Sequence, residues 1–463
     1  MKSTKKLKPQ TIVALATPGA RSAIGIVRLS GPRTKIILDK IWRPISVPGP
    51  RPRELALGWL LDGDKKIDQA MAVFMPGPRS YSGEDMVELH THGAPAIIRA
   101  ALKICLDNGA TMAEPGEFTK RAFLNGKLDL TQAEAVVNLV ESDNEAMARL
   151  ATDQLAGSLS QQIKAMRTRL IDLAAHEIAG LDFSEEDVPP SDRDNTLKAV
   201  KQVRTDIERI LANSTQVSTL RDGVKVALIG LPNAGKSTLL NHLLGWERSI
   251  VTDKPGTTRD TIEENISIDG IGIRLVDTAG LNTRPDEIER LGIERTRAEI
   301  RNSDIILLLV EPGKEVETAH YLDSQKIFDG DGSLAANVVV VWTKSDLKIK
   351  PKPSQLGLTG QKHLSVSALH DKGLKAVGRL IVSHAGVSQL TESAVATTSR
   401  QLETLKKAAL ILRKIEQLLK NGNPSDIVLV DIEEAIKTLG GLTGETANQE
   451  VIDAVFANFC IGK

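Results

Sequence analysis

Val224-Lys-Val-Ala-Leu-Ile-Gly230-Leu-Pro-Asn-Ala-Gly235-Lys236-Ser237-Thr238 carries the strongest structural instruction in the chain. Its first six residues are a mostly apolar run of strand length. Glycines follow, where the backbone must turn tightly enough for successive N–H groups to close around phosphate oxygens. Lys236 comes next, placed to reach β- and γ-phosphates, and the Ser237 hydroxyl is placed for Mg²⁺. Helical pattern resumes over residues 238–244, so the loop stands between a strand and a helix, the context this motif needs. Asn233, Ala234, Gly235, Lys236, Ser237 and Thr238 are therefore expected to contact a nucleotide.

Further segments follow in the order a guanine-nucleotide site requires. Thr252-Asp253-Lys254-Pro255-Gly256-Thr257-Thr258 reads as a loop, and a threonine hydroxyl there, Thr258, completes a Mg²⁺ shell when γ-phosphate is present. Asp277-Thr278-Ala279-Gly280 follows an apolar run at 271–276; its aspartate holds Mg²⁺ through water and the Gly280 N–H senses γ-phosphate. Thr343-Lys344-Ser-Asp346 follows the run 338–342. A carboxylate at Asp346 accepts both N1–H and the exocyclic amine of guanine, whereas adenine offers a lone pair at N1. Ser367-Ala368, at the end of another strand, suits a backbone contact to guanine O6. In this set the chain resembles the translation-factor-related GTPases. Thr343 stands where their usual pattern has Asn, so guanine selectivity is expected to persist with one side-chain amide fewer. Leu281 stands where Ras-type GTPases place a water-orienting Gln, and the acidic stretch Asp286-Glu287-Ile-Glu289 offers replacements.

The chain has 463 residues, of which 41% are hydrophobic and 25% charged, enough apolar side chain to build cores and to exclude a wholly disordered chain. At ~150 residues per domain that length implies about three domains. The 59 basic and 59 acidic residues cancel, so any nucleic-acid contact must come from local patches. The greasy runs are far below the ~20 residues of a spanning helix. Two cysteines, Cys105 and Cys460, make no disulfide framework, which points to a reducing, cytoplasmic setting without a membrane.

Periodicity divides the rest. The first ~125 residues read as mixed α and β, with strands at 11–16 and 25–29 and a helix at 94–105 stopped by Asn108-Gly109. Leu159, Ile163, Met166, Leu170 and Leu173 form one helical stripe, and Val200, Val203, Ile207 and Ile210 another, separated by Pro189-Pro190. Between residues 224 and 383 apolar runs alternate with helical stretches, the pattern of a parallel sheet with flanking helices. Helical pattern returns in Leu402, Leu405, Ala409, Leu412, Ile415 and Leu419. The expected organisation is an α+β domain over 1–125, a helical domain over 126–220 and 385–463, and an α/β nucleotide domain over 221–384 inserted between its halves. Each helical half alone is too thin to bury a sufficient core.

Over essentially its whole length the chain resembles the MnmE (TrmE) family of tRNA-modifying GTPases. The resemblance rests on Thr11-Ile-Val-Ala14, Gly25-Ile-Val-Arg28-Leu-Ser-Gly31, Ser82-Gly-Glu-Asp85 with Glu88, and Pro115-Gly-Glu-Phe118. It continues in Arg121-Ala-Phe-Leu-Asn125-Gly-Lys127-Leu-Asp-Leu130, the nucleotide motifs and Cys460-Ile-Gly-Lys463. The family implies a homodimer whose N-terminal domain dimerises and binds a tetrahydrofolate derivative, with contacts at Arg28, Glu88, Lys127 and Lys463. A pterin presents a guanine-like donor edge that suits Glu88, and its tail and carbonyls suit Arg28 and Lys127. The loop Pro18-Gly19-Ala20-Arg21-Ser22-Ala23 carries fewer glycines than the family's and is expected to crowd that ligand. The family also implies a K⁺ site at Asn233, Thr252, Lys254 and Thr257, a water-orienting Glu289, and a flavoprotein partner of the GidA/MnmG type, which carries FAD, in a heterotetramer acting on wobble uridine of tRNA. Whether glycine or ammonium supplies the added nitrogen stays open.

Two constellations admit rival readings. His90-Thr-His92 lacks a third metal ligand of suitable spacing, so metal binding there is disfavoured. Cys460 is either a reacting thiol or a small residue in a tight packing site, and the resemblance places it with Lys236 and Glu289 among expected catalytic groups. The rival to the whole reading is a ribosome-assembly switch GTPase without covalent chemistry, but such proteins attach an RNA-binding module that this chain lacks by sequence.

Overall fold

The computed structural model of the chain describes residues 10–46, 51–142, 144–182, 193–245, 263–277, 300–324, 337–358, 360–384 and 397–463. Its contacts divide it into two compact units, one of residues 1–137, 154–205 and 398–463, the other of residues 138–153 and 206–397. No helix among the described residues is long and apolar enough to cross a membrane.

The first unit begins with β1 (Ile12–Leu15), β2 (Ser22–Ser30), α1 (Thr34–Ile41), β3 (Trp42–Pro44), β4 (Ala56–Asp62), β5 (Lys65–Met75), β6 (Met86–Gly93), α2 (Pro95–Asp107) and β7 (Thr111–Met112). The strands form a seven-stranded sheet in the order β3-β4-β5-β6-β2-β1-β7, antiparallel except for the β1–β7 pair. Val27 and Leu29 of β2 and Val87 and Leu89 of β6 share a core with Ile37 and Ile41 of α1 and Ile104 and Cys105 of α2. Strand side chains alternate faces, so the intervening Arg28, Glu88 and His90 lie on the face opposite that core. α2 opens with Pro95 in its first turn and stops at Asn108-Gly109, where Gly109 takes φ +93°.

α3 (Glu117–Leu124) and α4 (Leu130–Val140) lead into the helical part. There α6 (Ser158–Asp182) packs against α12 (Ser425–Thr443), which in turn packs against α11 (Ser399–Lys420). Leu159, Ile163, Met166 and Leu170 are buried on α6, as are Leu405, Ala409, Leu412, Ile415 and Leu419 on α11. A Thr398–Gln401 capping box starts α11. Arg400 next to it donates from Nε and Nη2 to the two oxygens of buried Glu134, at 2.7 Å each, and Gln401 Nε2 donates to the same carboxylate. α13 (Gln449–Ala457) precedes the last residues.

The second unit holds α5 (Glu145–Leu155), most of α7 (Arg193–Asp222), β8 (Val224–Gly230), α8 (Lys236–Leu244), β9 (Glu263–Ile268), β10 (Ile271–Asp277), β11 (Ile305–Val310), α9 (Glu315–Ser324), β12 (Val338–Trp342), β13 (Lys362–Ser365) and α10 (Leu374–His384). The sheet order is β13-β12-β11-β8-β10-β9, all parallel except β9. β8 and β11 are buried on both faces, which is why they read as continuous apolar runs. β9 and β10 form a hairpin across Asp269 and Gly270, both at positive φ. Residues 138–153 read by sequence with the helical segment. They cluster here because Met147 enters the core of Ile266, Ile268 and Ile273, and the Ala146 N–H donates to Gly270 O at 3.4 Å.

Candidate functional site: a nucleotide cradle and a charged cluster

At the end of β8 the backbone leaves the sheet at Gly230, where a Cβ would meet Leu309 O at 2.5 Å; only glycine fits. Asn233 and Gly235 take φ +64° and +96°, turning the loop back so that Gly235 caps α8. The first N–H groups of a helix have no intrahelical acceptor and carry the positive end of its dipole, so this turn is built for anions. Lys236 Nζ donates to Gly230 O at 2.7 Å and Leu231 O at 3.0 Å. Those carbonyls stand in for the phosphate oxygens its ammonium is placed to meet. Ala234 is buried beneath the loop, while Ser237 and Thr238 are exposed in the first turn of α8, accessible to Mg²⁺ and phosphate. Asp277 ends β10 in register with Leu228 of β8, two residues short of Gly230.

The base-reading groups follow β12. The buried Thr343 donates its N–H and its hydroxyl to Val310 O at 2.9 and 3.3 Å, tying the ends of β11 and β12 together. Its methyl lies 3.8 Å from where a Cβ on Gly235 would stand, so the base side and the phosphate loop are neighbours. Lys344 takes φ +51° and pairs with Glu311 at 2.6 Å. Asp346 Oδ1 accepts the Ser367 hydroxyl at 2.6 Å, and this hydrogen bond chiefly holds its carboxyl below the ordinary 3.8. Ser367 exchanges backbone bonds with Lys372, closing the loop, and Ala368 begins the short 3₁₀ turn at its tip. The structure thus gathers Asn233, Ala234, Gly235, Lys236, Ser237, Thr343, Asp346, Ser367 and Ala368 within one unit. Thr252, Asp253, Lys254, Pro255, Gly256, Thr257 and Thr258, then Thr278, Ala279 and Gly280, and Glu289 lie outside the described residues.

The first unit carries a second cluster. Arg28 and Glu88 face each other in register across β2 and β6. Arg28 Nε and Nη2 reach Glu88 Oε1 at 2.9 and 2.8 Å, and Nη1 donates to Gly462 O at 3.1 Å. Its guanidinium lies 5.9 Å from the Tyr81 ring centre and 5.8 Å from that of Phe118. Glu88 Oε2 meets His90 Nε2 at 3.3 Å, and His92 Nδ1 lies 2.7 Å from Asp68. Residues 460–463 dock on the N-terminus of α3: the Gly116 and Phe118 N–H groups donate to Cys460 O and Lys463 O at 3.5 and 3.2 Å. The Cys460 side chain is exposed there, whereas the buried Cys105 thiol is pushed up to about 12. Lys127 lies just past α3, exposed, and its side chain forms no ion pair among the described residues. Sequence reasoning did not find Tyr81, weighed His90 only as half of a metal pair and quoted Phe118 only within a motif; for His90 the signal was its period-two spacing from Glu88.

This sheet, with its phosphate loop at the carboxyl end of a central strand and an aspartate held by Ser367 after β12, defines a P-loop GTPase, an enzyme that hydrolyses GTP. Family comparisons narrow that class. The family profile described as "MnmE helical domain" matches residues 130–460, and that described as "GTP-binding protein TrmE N-terminus" matches residues 11–127. The "tRNA modification GTPase MnmE" of Aquifex aeolicus (strain VF5) is 39% identical over 458 residues, 98% of this chain and 100% of the relative. Those of Alkaliphilus oremlandii (strain OhILAs) and Natranaerobius thermophilus are 35% and 36% identical, each covering 98% of this chain and 99% of the relative. The chain belongs to the MnmE (TrmE) family.

Proposed function

We propose that the chain is a K⁺-stimulated GTPase acting in tRNA modification. As a homodimer, joined with a GidA/MnmG-type flavoprotein that carries FAD, it installs an aminomethyl or carboxymethylaminomethyl group on carbon 5 of the wobble uridine. A tetrahydrofolate derivative supplies the one-carbon unit. One observation carries the reading: a guanine-nucleotide site and the Arg28–Glu88 cluster beside residues 460–463 occur in a single chain whose relatives are named for tRNA modification.

Each group has its candidate residues. Lys236 and the N–H groups up to Thr238 bind the phosphates; Ser237 and Thr258 are the Mg²⁺ ligands. Asn233, at positive φ in the loop, would hold K⁺ together with Thr252, Lys254 and Thr257, as the family resemblance implies. That cation offsets charge developing between the phosphates, the part an arginine finger plays elsewhere. Glu289 orients the attacking water where Leu281 offers no polar group. In the first unit Glu88 accepts the pterin's donor edge, and Arg28, Lys127 and Lys463 hold its carbonyls and carboxylates.

GTP turnover measured in KCl and in NaCl tests the cation part of this reading. Hydrolysis is expected to be at least about tenfold faster in K⁺, since Na⁺ is too small for the same ligand cage. Glu289→Ala is expected to slow hydrolysis with GTP affinity nearly unchanged. Equal rates in both salts contradict the proposal.

A further inference from the structure

One guanidinium, that of Arg28, joins two things that are far apart in the chain: the Glu88 carboxylate and the carbonyl of Gly462. Each of its three nitrogens makes a contact, and the Tyr81 and Phe118 rings restrict where it can swing. Gly462 has no freedom to follow a moving partner. It sits at φ +96°, and a Cβ there would meet Leu15 O at 2.2 Å, so the segment lies flat on the end of β1. The rest of the segment is held only by backbone bonds to the N-terminus of α3, where Lys463 O serves a Phe118 N–H that has no intrahelical partner.

We propose that Arg28 is the positioning residue of segment 460–463, so that occupation of Glu88 and placement of Cys460 are two sides of one equilibrium. A ligand presenting paired N–H donors to Glu88 competes with Arg28 for Oε1 and with His90 for Oε2. Once displaced, the guanidinium no longer aims Nη1 at Gly462 O, and the segment carrying the exposed Cys460 loosens from α3. The ligand's class rests on the folate reading above; the coupling rests on the hydrogen bonds alone.

The Phe118 amide reports this directly, because its acceptor is Lys463 O. Hydrogen exchange followed by mass spectrometry on the full chain is expected to show a protected Phe118 amide. Arg28→Ala should raise its exchange about tenfold, the loss of one hydrogen bond from a charged donor, and Glu88→Gln, which keeps an acceptor but drops its charge, should raise it by less. Arg28→Lys, with a single donor centre, should fall between Arg28→Ala and the native chain. The paired sheet amides around Val27 and Leu89 should stay protected in all three, showing that the fold is intact. Added tetrahydrofolate should loosen Phe118 in the native chain. If Arg28→Ala leaves Phe118 unchanged, or loosens it while Glu88→Gln does not, the coupling is wrong. If both variants loosen it and tetrahydrofolate does not, the coupling stands and the folate reading falls.

Discussion

Asp346 shows how much one side chain settles. Its carboxylate is exposed, yet the Ser367 hydroxyl at 2.6 Å both aims it and favours its ionised form. The ionised state is the one a guanine contact at Asp346 would require; with a depressed pKa it is held above the ordinary 3.8 and lost as pH falls through the lower folded-state value. The loss of GTP affinity linked to Asp346 is therefore expected at more acid pH than for an ordinary aspartate. Ser367→Ala should move that acid limb upward, a shift that equilibrium binding at a series of pH values would detect. Asp346→Asn should exchange preference from GTP to xanthosine triphosphate, because an amide can donate to an oxygen at carbon 2. Unchanged GTP affinity in that variant means that another group reads the base. The two thiols make a further pair of expectations. Cys105 is buried and its thiol is pushed up to about 12, whereas Cys460 is exposed. A thiol reagent at pH 8 should thus titrate one thiol in the native chain and two after denaturation.

Helix and strand identity was legible where one period dominates. Val200, Val203, Ile207 and Ile210 repeat at helical spacing and are all buried on α7. The run Ile305–Val310 is buried throughout as β11. β9 was missed, because Glu263-Glu-Asn-Ile-Ser-Ile268 shows an apolar residue only at alternate places near its end. Its signal was the Asp269-Gly270 turn, which a two-residue hairpin demands. Buried polar links between elements were not legible at all, since charge alone does not reveal burial. Glu134 and Arg400 illustrate this: 266 residues apart, they meet at 2.7 Å between α4 and the start of α11. Arg400→Ala leaves Glu134 buried without its cation and should destabilise the first unit by about 3–5 kcal/mol. Thr398→Ala removes the cap of α11 and one neutral hydrogen bond to Glu134 at 3.2 Å, but leaves the Arg400 cation in place, and should cost about 1–2 kcal/mol. Urea unfolding of the two variants checks the difference, and equal losses mean that the ion pair is no stronger than the cap.

Taken as a whole, the molecule joins two kinds of legibility. The phosphate loop could be read from its letters because its chemistry is local: Gly230 to Ser237 are consecutive, and the turn they make is set by the glycines among them. The Arg28–Glu88–Gly462 cluster is assembled from three distant stretches, so no spacing rule finds it. Resemblance supplied Arg28, Glu88, Lys127 and Lys463; the structure brings the first two together with the 460–463 backbone, and Lys127 is exposed. On the proposed function, the GTPase site and the Arg28–Glu88 cluster serve one reaction on tRNA. The decisive measurement is mass spectrometry of tRNA nucleosides from a strain lacking this chain, then supplied with it or with its Lys236→Ala variant. The expected result is that the wobble uridine modified at carbon 5 is absent without the chain, restored by the native sequence, and not restored by the variant. Unaltered wobble uridine modification in the strain lacking the chain would contradict the account.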